Sequence, residues 1–142
     1  MNRYMLDTNI CSFLIRGKNP RLEARLASEV KQGCFLMISA ITYMELVYGA
    51  TSPKSSPKWL PLVNALVDRL DTVCGWGRDT IDEAVRLRSR LAAAGTPIGD
   101  NDTAIAAQAL DERCILVTNN VKHFKRVEGL QVQDWTEGYR CR

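Results

Sequence analysis

The sequence predicts an α/β fold, a three-layer α/β/α sandwich built on a central, mostly parallel sheet. Short runs that are apolar throughout, such as Phe35-Leu36-Met37-Ile38 and Cys114-Ile115-Leu116-Val117, read as strands buried on both faces. Segments with helical apolar spacing separate them. Strand and helix alternating in this way is the pattern of a parallel sheet covered on both sides. A chain of 142 residues fits a single domain, expected over residues 1–142, and buries roughly two thirds of its unfolded surface on folding.

Taken in order, Tyr4-Met5-Leu6 is the first strand, ending abruptly at Asp7-Thr8-Asn9, which reads as a turn. Asn19-Pro20 is a helix start, a capping side chain followed by proline at the first helical position. Leu22, Leu26 and Val30 follow at helical spacing, and Gly33 ends the run. Phe35–Ser39 is the second strand, and Ile41–Tyr48 the helix after it. Thr51–Lys58, with two prolines and three serines, is a polar loop. Trp59, Leu62, Val63, Leu66, Val67 and Leu70 outline an amphipathic helix, and Thr72-Val73-Cys74 a short strand. Thr80-x-x-Glu83 has the form of a capping box, opening a helix that closes near Gly95. Asp102–Leu110 is an alanine-rich helix, Cys114–Val117 a strand ending at Thr118-Asn119-Asn120, and Leu130–Gln133 the last strand.

Composition removes several classes of function. Hydrophobic residues at 46% and charged residues at 25% are near the globular average, against disorder and low complexity. No apolar run approaches the roughly 20 residues of a membrane span. Met1-Asn2-Arg3-Tyr4 opens no basic-then-apolar leader, so the expectation is a soluble, cytoplasmic protein with no membrane partner. The five cysteines, Cys11, Cys34, Cys74, Cys114 and Cys141, are odd in number and widely spaced, unlike a disulfide framework or a zinc site. One histidine, His123, excludes catalysis by paired imidazoles within a chain, and it reads as structural or surface. Neither a Gly-x-Ser-x-Gly elbow nor a glycine-rich phosphate loop is present. Carboxylates and a metal are the remaining catalytic candidates.

In open parallel sheets, ligands bind beyond the carboxyl ends of the strands. Asp7 follows the first strand, Glu45 lies on the helix after the second, Asp100 and Asp102 open a helix, and Asn119 and Asn120 follow the penultimate strand. Glu45, Asp102 and Asp100 have no Lys or Arg three or four residues away and read as unpaired. Glu45 also sits in a mostly apolar helix, where a lone carboxylate is costly to bury. A cation removes that cost, and oxygen ligands of this kind suit Mg²⁺ or Mn²⁺. Each residue also has an ordinary reading. Asp7 could cap a turn, Asp100 and Asp102 a helix N-terminus, Glu45 could be a solvated edge residue, and Asn119-Asn120 a simple turn.

Leu6-Asp7-Thr8-Asn9, Ser39-x-x-Thr42-x-x-Glu45-Leu46-x-x-Gly49, Ile98-Gly99-x-x-Asp102-x-x-Ile105-Ala106-Ala107 and Leu116-Val117-Thr118-Asn119-Asn120 occur in that order, with Phe124 and Trp135 downstream. Together they resemble the PIN-domain family, most closely the VapC-type toxins of bacterial toxin–antitoxin modules. The resemblance implies a Mg²⁺-dependent endoribonuclease acting on a structured RNA such as tRNA or rRNA, with Mn²⁺ able to substitute. It implies metal-holding acids at Asp7, Glu45 and Asp102, with Asp100 assisting a second ion. The family's fourth acidic position falls at Asn119 or Asn120, so an amide stands there. The resemblance further implies a cognate VapB-type antitoxin, whose C-terminal segment fills a groove near the acids, and a homodimer; the apolar helices around Trp59 and Leu66 are the candidate interface.

Thr8 and Asn9, with Asn119 and Asn120, are candidates for orienting the acids. Lys54, Lys58, Lys122, Lys125, Arg126, Arg140 and Arg142 are candidates for holding an RNA backbone, although such residues also suit a plain solvated surface. Arg86 and Arg90 share a helix face and read as surface or subunit-interface residues. Trp59 and Trp76 read as core or interface aromatics, and Trp135 as packing near the last strand. The rival readings are a catalytically silent PIN-like module that binds RNA or protein, a metal-dependent phosphatase or phospho-acceptor, and a nuclease acting on DNA.

Overall fold

The computed structural model describes residues 1–136; Arg140, Cys141 and Arg142 lie outside the described residues. The strands are β1 (Arg3–Leu6), β2 (Phe35–Ser39), β3 (Thr72–Cys74), β4 (Ile115–Val117) and β5 (Val132–Gln133). They form one sheet in the order β3-β2-β1-β4-β5. Every neighbouring pair is parallel. Seven helices connect them: α1 (Thr8–Arg16), α2 (Pro20–Lys31), α3 (Ala40–Thr51), α4 (Trp59–Asp68), α5 (Arg78–Ala93), α6 (Asp100–Asp111) and α7 (Val121–Phe124).

Side chains alternate across a strand, and the central strand divides its residues between two cores accordingly. Tyr4 and Leu6 join Leu36, Ile38 and Val117 on one face, under Ile10 and Leu14 of α1, Leu22 and Leu26 of α2, and Val63 and Leu66 of α4. Met5 joins Met37 and Leu116 on the other, under Leu87 and Leu91 of α5 and Ile105 of α6. Those two cores make the three layers. Trp135 closes the first core, with its ring edge-on to Tyr4 at a centroid distance of 4.9 Å and the Arg25 guanidinium over it.

Asn19 caps α2 as expected, its Oδ1 accepting from the Leu22 amide at 3.0 Å, with Pro20 at the first position. Asn19→Ala is expected to destabilise the protein by about 1 kcal/mol in urea denaturation, with the slope of the transition unchanged.

Several local expectations need correction. Asp7-Thr8-Asn9 is not a turn but the start of α1, which ends at Gly17 in a left-handed conformation (φ 67°) with its N–H bonded to Phe13 and Leu14 carbonyls. Val30 is 52% exposed, and Glu29, bonded to Arg25 Nε at 3.0 Å, takes the inward side of α2. The capping box at Thr80 does not form. The helix α5 starts earlier, at Arg78 after Gly77, while the Thr80 hydroxyl donates to Asp111 Oδ2 at 2.8 Å and Glu83 pairs with Arg86 and Arg90. Leu66 points into the core rather than outward. Apolar side chains exposed on the helices instead include Met44 and Tyr48 on α3 and Ile81 and Val85 on α5.

Candidate active site

A parallel sheet aligns the carboxyl ends of its strands, and Asp7 stands at the end of the central one. Its amide donates to Val117 O of β4 at 3.0 Å. Its carboxylate caps α1, Oδ1 accepting from the Ile10 amide at 2.9 Å, and the residue is 4% exposed. Burial pushes the Asp7 carboxyl up to about 6; the Thr118 hydroxyl and the Ile10 amide oppose that, and the charges of Asp102 and Asp134 add to it.

Glu45 reaches the same place from α3. The Thr8 hydroxyl, in the first turn of α1, donates to Glu45 Oε1 at 2.8 Å and lies 3.2 Å from the buried Thr42 hydroxyl. Asp102 arrives from the first turn of α6, after Gly99, whose φ of 92° suits glycine and turns the chain into the helix. Burial also raises the Asp102 carboxyl; His123 opposes the shift and the Glu45 charge adds to it.

These acids share one concavity of about 180 Å³, lined by Asp7, Thr8, Asn9, Glu45, Asp102, Asn120 and Phe124. Among the described residues, the lining holds three carboxylates and no Lys or Arg. Its carboxylate, hydroxyl and amide oxygens are hard donors. That donor set fits Mg²⁺ or Mn²⁺. Among the described residues, no three His, Cys, Asp or Glu side chains converge closely enough to hold one ion together. The carboxylates surround the concavity without meeting at one point.

Most of the other candidates fall outside it. Asp100 is in the first turn of α6, but its side chain is 77% exposed and lies 3.5 Å from Arg88. Asn119 is exposed, whereas Asn120 lines the concavity and precedes α7. Lys54, Lys58, Lys122, Lys125 and Arg126 are exposed, with the Lys58 ammonium 4.6 Å from the Trp59 ring centre. A larger groove of about 310 Å³ runs between α1, α3 and α4, lined by Ser12, Ile15, Arg16, Leu46, Trp59 and Val63 among others. Thr8 and Glu45 line both cavities.

Sequence reasoning missed His123. Its Nε2 lies 3.2 Å from Asp102 Oδ2 and 2.7 Å from Ile98 O. No local spacing signals this contact, because the partners are 21 and 25 residues away and meet only through the sheet. Asp134, whose charge acts on Asp7, was also missed.

The pattern of the PIN domain family matches residues 4–130, nearly the whole chain. This chain belongs to the PIN-domain family. Relatives match it over nearly its whole length. A protein of Salmonella typhimurium named tRNA(fMet)-specific endonuclease VapC is 35% identical over 135 residues, covering 95% of this chain and 99% of its own. A Shigella flexneri protein of the same name is 36% identical, covering 96% of this chain and all of its own. The structure of VapBC2 from Rickettsia felis bound to a promoter DNA fragment superposes with a TM-score of 0.86 at 32% identity, over 94% of this chain and 98% of that one. DNA-bound VapBC from Salmonella typhimurium gives 0.85 at 34% identity, over 95% and 99%. Within the PIN-domain family this chain is a VapC-type ribonuclease, and metal dependence follows from that membership. No helix among the described residues is long and apolar enough to cross a membrane.

Proposed function

We propose that this chain is the Mg²⁺-dependent endoribonuclease toxin of a toxin–antitoxin pair, hydrolysing a phosphodiester bond in a structured RNA, with tRNA the first candidate. The observation that carries the reading is the concavity where three carboxylates from the end of β1, from α3 and from α6 gather with no Lys or Arg among the described residues of its lining. Asp7 and Asp102 are its principal cation-holding groups, Glu45 holds the cation or orients water, and Asn120 offers a carbonyl oxygen at the rim. When bound, the cation supplies an acidified water and withdraws charge from the phosphoryl oxygens. Thr8 keeps Glu45 in one orientation through its 2.8 Å hydrogen bond. Thr8→Val is expected to lower the cleavage rate about tenfold, with little change in thermal stability.

Asp100, turned to Arg88, is a peripheral acid on this reading, and its loss is tolerated. The basic side chains at Lys54, Lys58, Lys122, Lys125 and Arg126 hold the RNA backbone. RNA affinity should therefore fall steeply between 50 and 200 mM salt, with a slope reduced by about one for each phosphate-contacting lysine removed. Salt-insensitive binding would count against that role.

The inhibitory partner on this reading is a VapB-type antitoxin, consistent with the VapBC complexes among the structural neighbours. Its C-terminal segment would occupy the apolar groove between α1, α3 and α4, which opens onto the acids through Thr8 and Glu45. The toxin itself is proposed to be a single-domain homodimer acting in the cytoplasm; a monomer in sedimentation would contradict the dimer.

A silent RNA- or protein-binding module is the second reading, favoured by the lack of three converging ligands among the described residues. Incubation with total bacterial RNA, with and without Mg²⁺, separates the two. Discrete Mg²⁺-dependent fragments establish cleavage and identify the target from their ends; intact RNA bound by folded protein establishes the silent module.

A further inference from the structure

The short helix α7 faces the loop that launches α6 and reaches it at two points. His123 Nε2 lies 2.7 Å from the carbonyl oxygen of Ile98 and 3.2 Å from Asp102 Oδ2. Three residues on, Arg126 Nη1 donates to the Pro97 carbonyl at 3.3 Å. A carbonyl only accepts, so Nε2 carries a hydrogen and the backbone fixes the ring's tautomer. That single N–H is taken by the main-chain oxygen, and Asp102 Oδ2 lies 3.2 Å from the same nitrogen. His123 Nε2 therefore has no lone pair to offer a metal.

The Pro97-Ile98-Gly99 path and the first turn of α6 fix where the Asp102 backbone lies. They do not fix the rotation of its carboxylate, whose side chain is 40% exposed. Among the described residues, His123 is the one side chain in polar contact with it. We infer that His123 is a positioning residue: it locks Asp102 to the loop beneath it, so that the carboxylate meets a divalent cation in one orientation. The inference rests on the reading of Asp102 as a cation-holding group, and it assigns to the single histidine a role in the site without making it a ligand.

Mn²⁺ binding by the purified full chain, read from the electron paramagnetic resonance of free Mn²⁺, tests this apart from catalysis. His123→Phe keeps a ring against Phe124 but removes the N–H, and is expected to weaken Mn²⁺ binding about 10- to 100-fold. His123→Gln places an N–H at the reach of Nε2 and is expected to restore most of that affinity. A Phe variant binding as tightly as wild type would overturn the role, and so would a folded Gln variant as weak as the Phe variant. Wild-type protein that binds Mn²⁺ but leaves RNA intact overturns the ribonuclease reading alone, while the His123 comparison is still decided by binding. Wild-type protein that binds no Mn²⁺ overturns both.

Discussion

Asp7→Asn is expected to abolish RNA cleavage and, in the absence of divalent cations, to make the protein more stable. Both effects have one cause. Asp7 is 4% exposed, and burial holds its carboxyl up at about 6, against an ordinary value of 3.8. The folded protein binds this proton more tightly than the unfolded chain does. The stability that results is fully present below pH 3.8 and is lost as the pH rises through about 6. At neutral pH the buried charge therefore costs on the order of 3 kcal/mol when no cation offsets it. Asparagine keeps the oxygen that accepts from Ile10 and carries no charge. Metal-free melting from pH 4 to 8 should show wild-type protein losing stability across that window and Asp7→Asn nearly flat, with the variant the more stable at pH 7. Cleavage should fall at least about 100-fold, equal to about 2.7 kcal/mol of transition-state stabilisation. A variant less stable than wild type at pH 7 without cation would contradict the argument.

Chelation should produce the complementary result. Asp7 feels the charge of Asp102, and Asp102 that of Glu45, so the folded site carries repulsion that a divalent cation relieves. EDTA is expected to bring cleavage to background. Returning Mg²⁺ to about 100 times its dissociation constant should add about 2.7 kcal/mol of stability, a rise in Tm of roughly 10 °C. Asp102→Asn should lose most of that rise, whereas Asp100→Asn, remote from the concavity and beside Arg88, should keep it. Equal Mg²⁺ stabilisation of wild type and Asp102→Asn would place the cation elsewhere.

The parallel sheet was legible because β1, β2 and β4 are apolar on both faces, and only helices on both sides make that arrangement stable. The acids were legible because each sits at a strand end or the helix after it, and Asp7, Glu45 and Asp102 do line one concavity. The helix α1 was not legible, since Thr8 and Asn9 are weak helix formers and Asp7 is shared between capping and the site. Thr80 and Glu83 formed the spacing of a capping box, but Asp111 at the end of α6 claimed the first side chain and Arg86, one turn on in the same helix, the second. Asp100 and Asp102 look alike in sequence; only the turn of α6 separates them, sending one toward Arg88 and the other toward His123. His123 itself was hidden because its partners lie in a different loop.

The central claim is that Asp7, Glu45 and Asp102 form the catalytic site. It is tested most directly by cleavage of purified tRNA in Mg²⁺ by wild type, Asp7→Asn, Glu45→Gln, Asp102→Asn and Asp100→Asn, each shown folded by circular dichroism. The account predicts discrete fragments from wild type and Asp100→Asn and intact tRNA from the other three. Undiminished Mg²⁺-dependent cleavage by Asp102→Asn would contradict it.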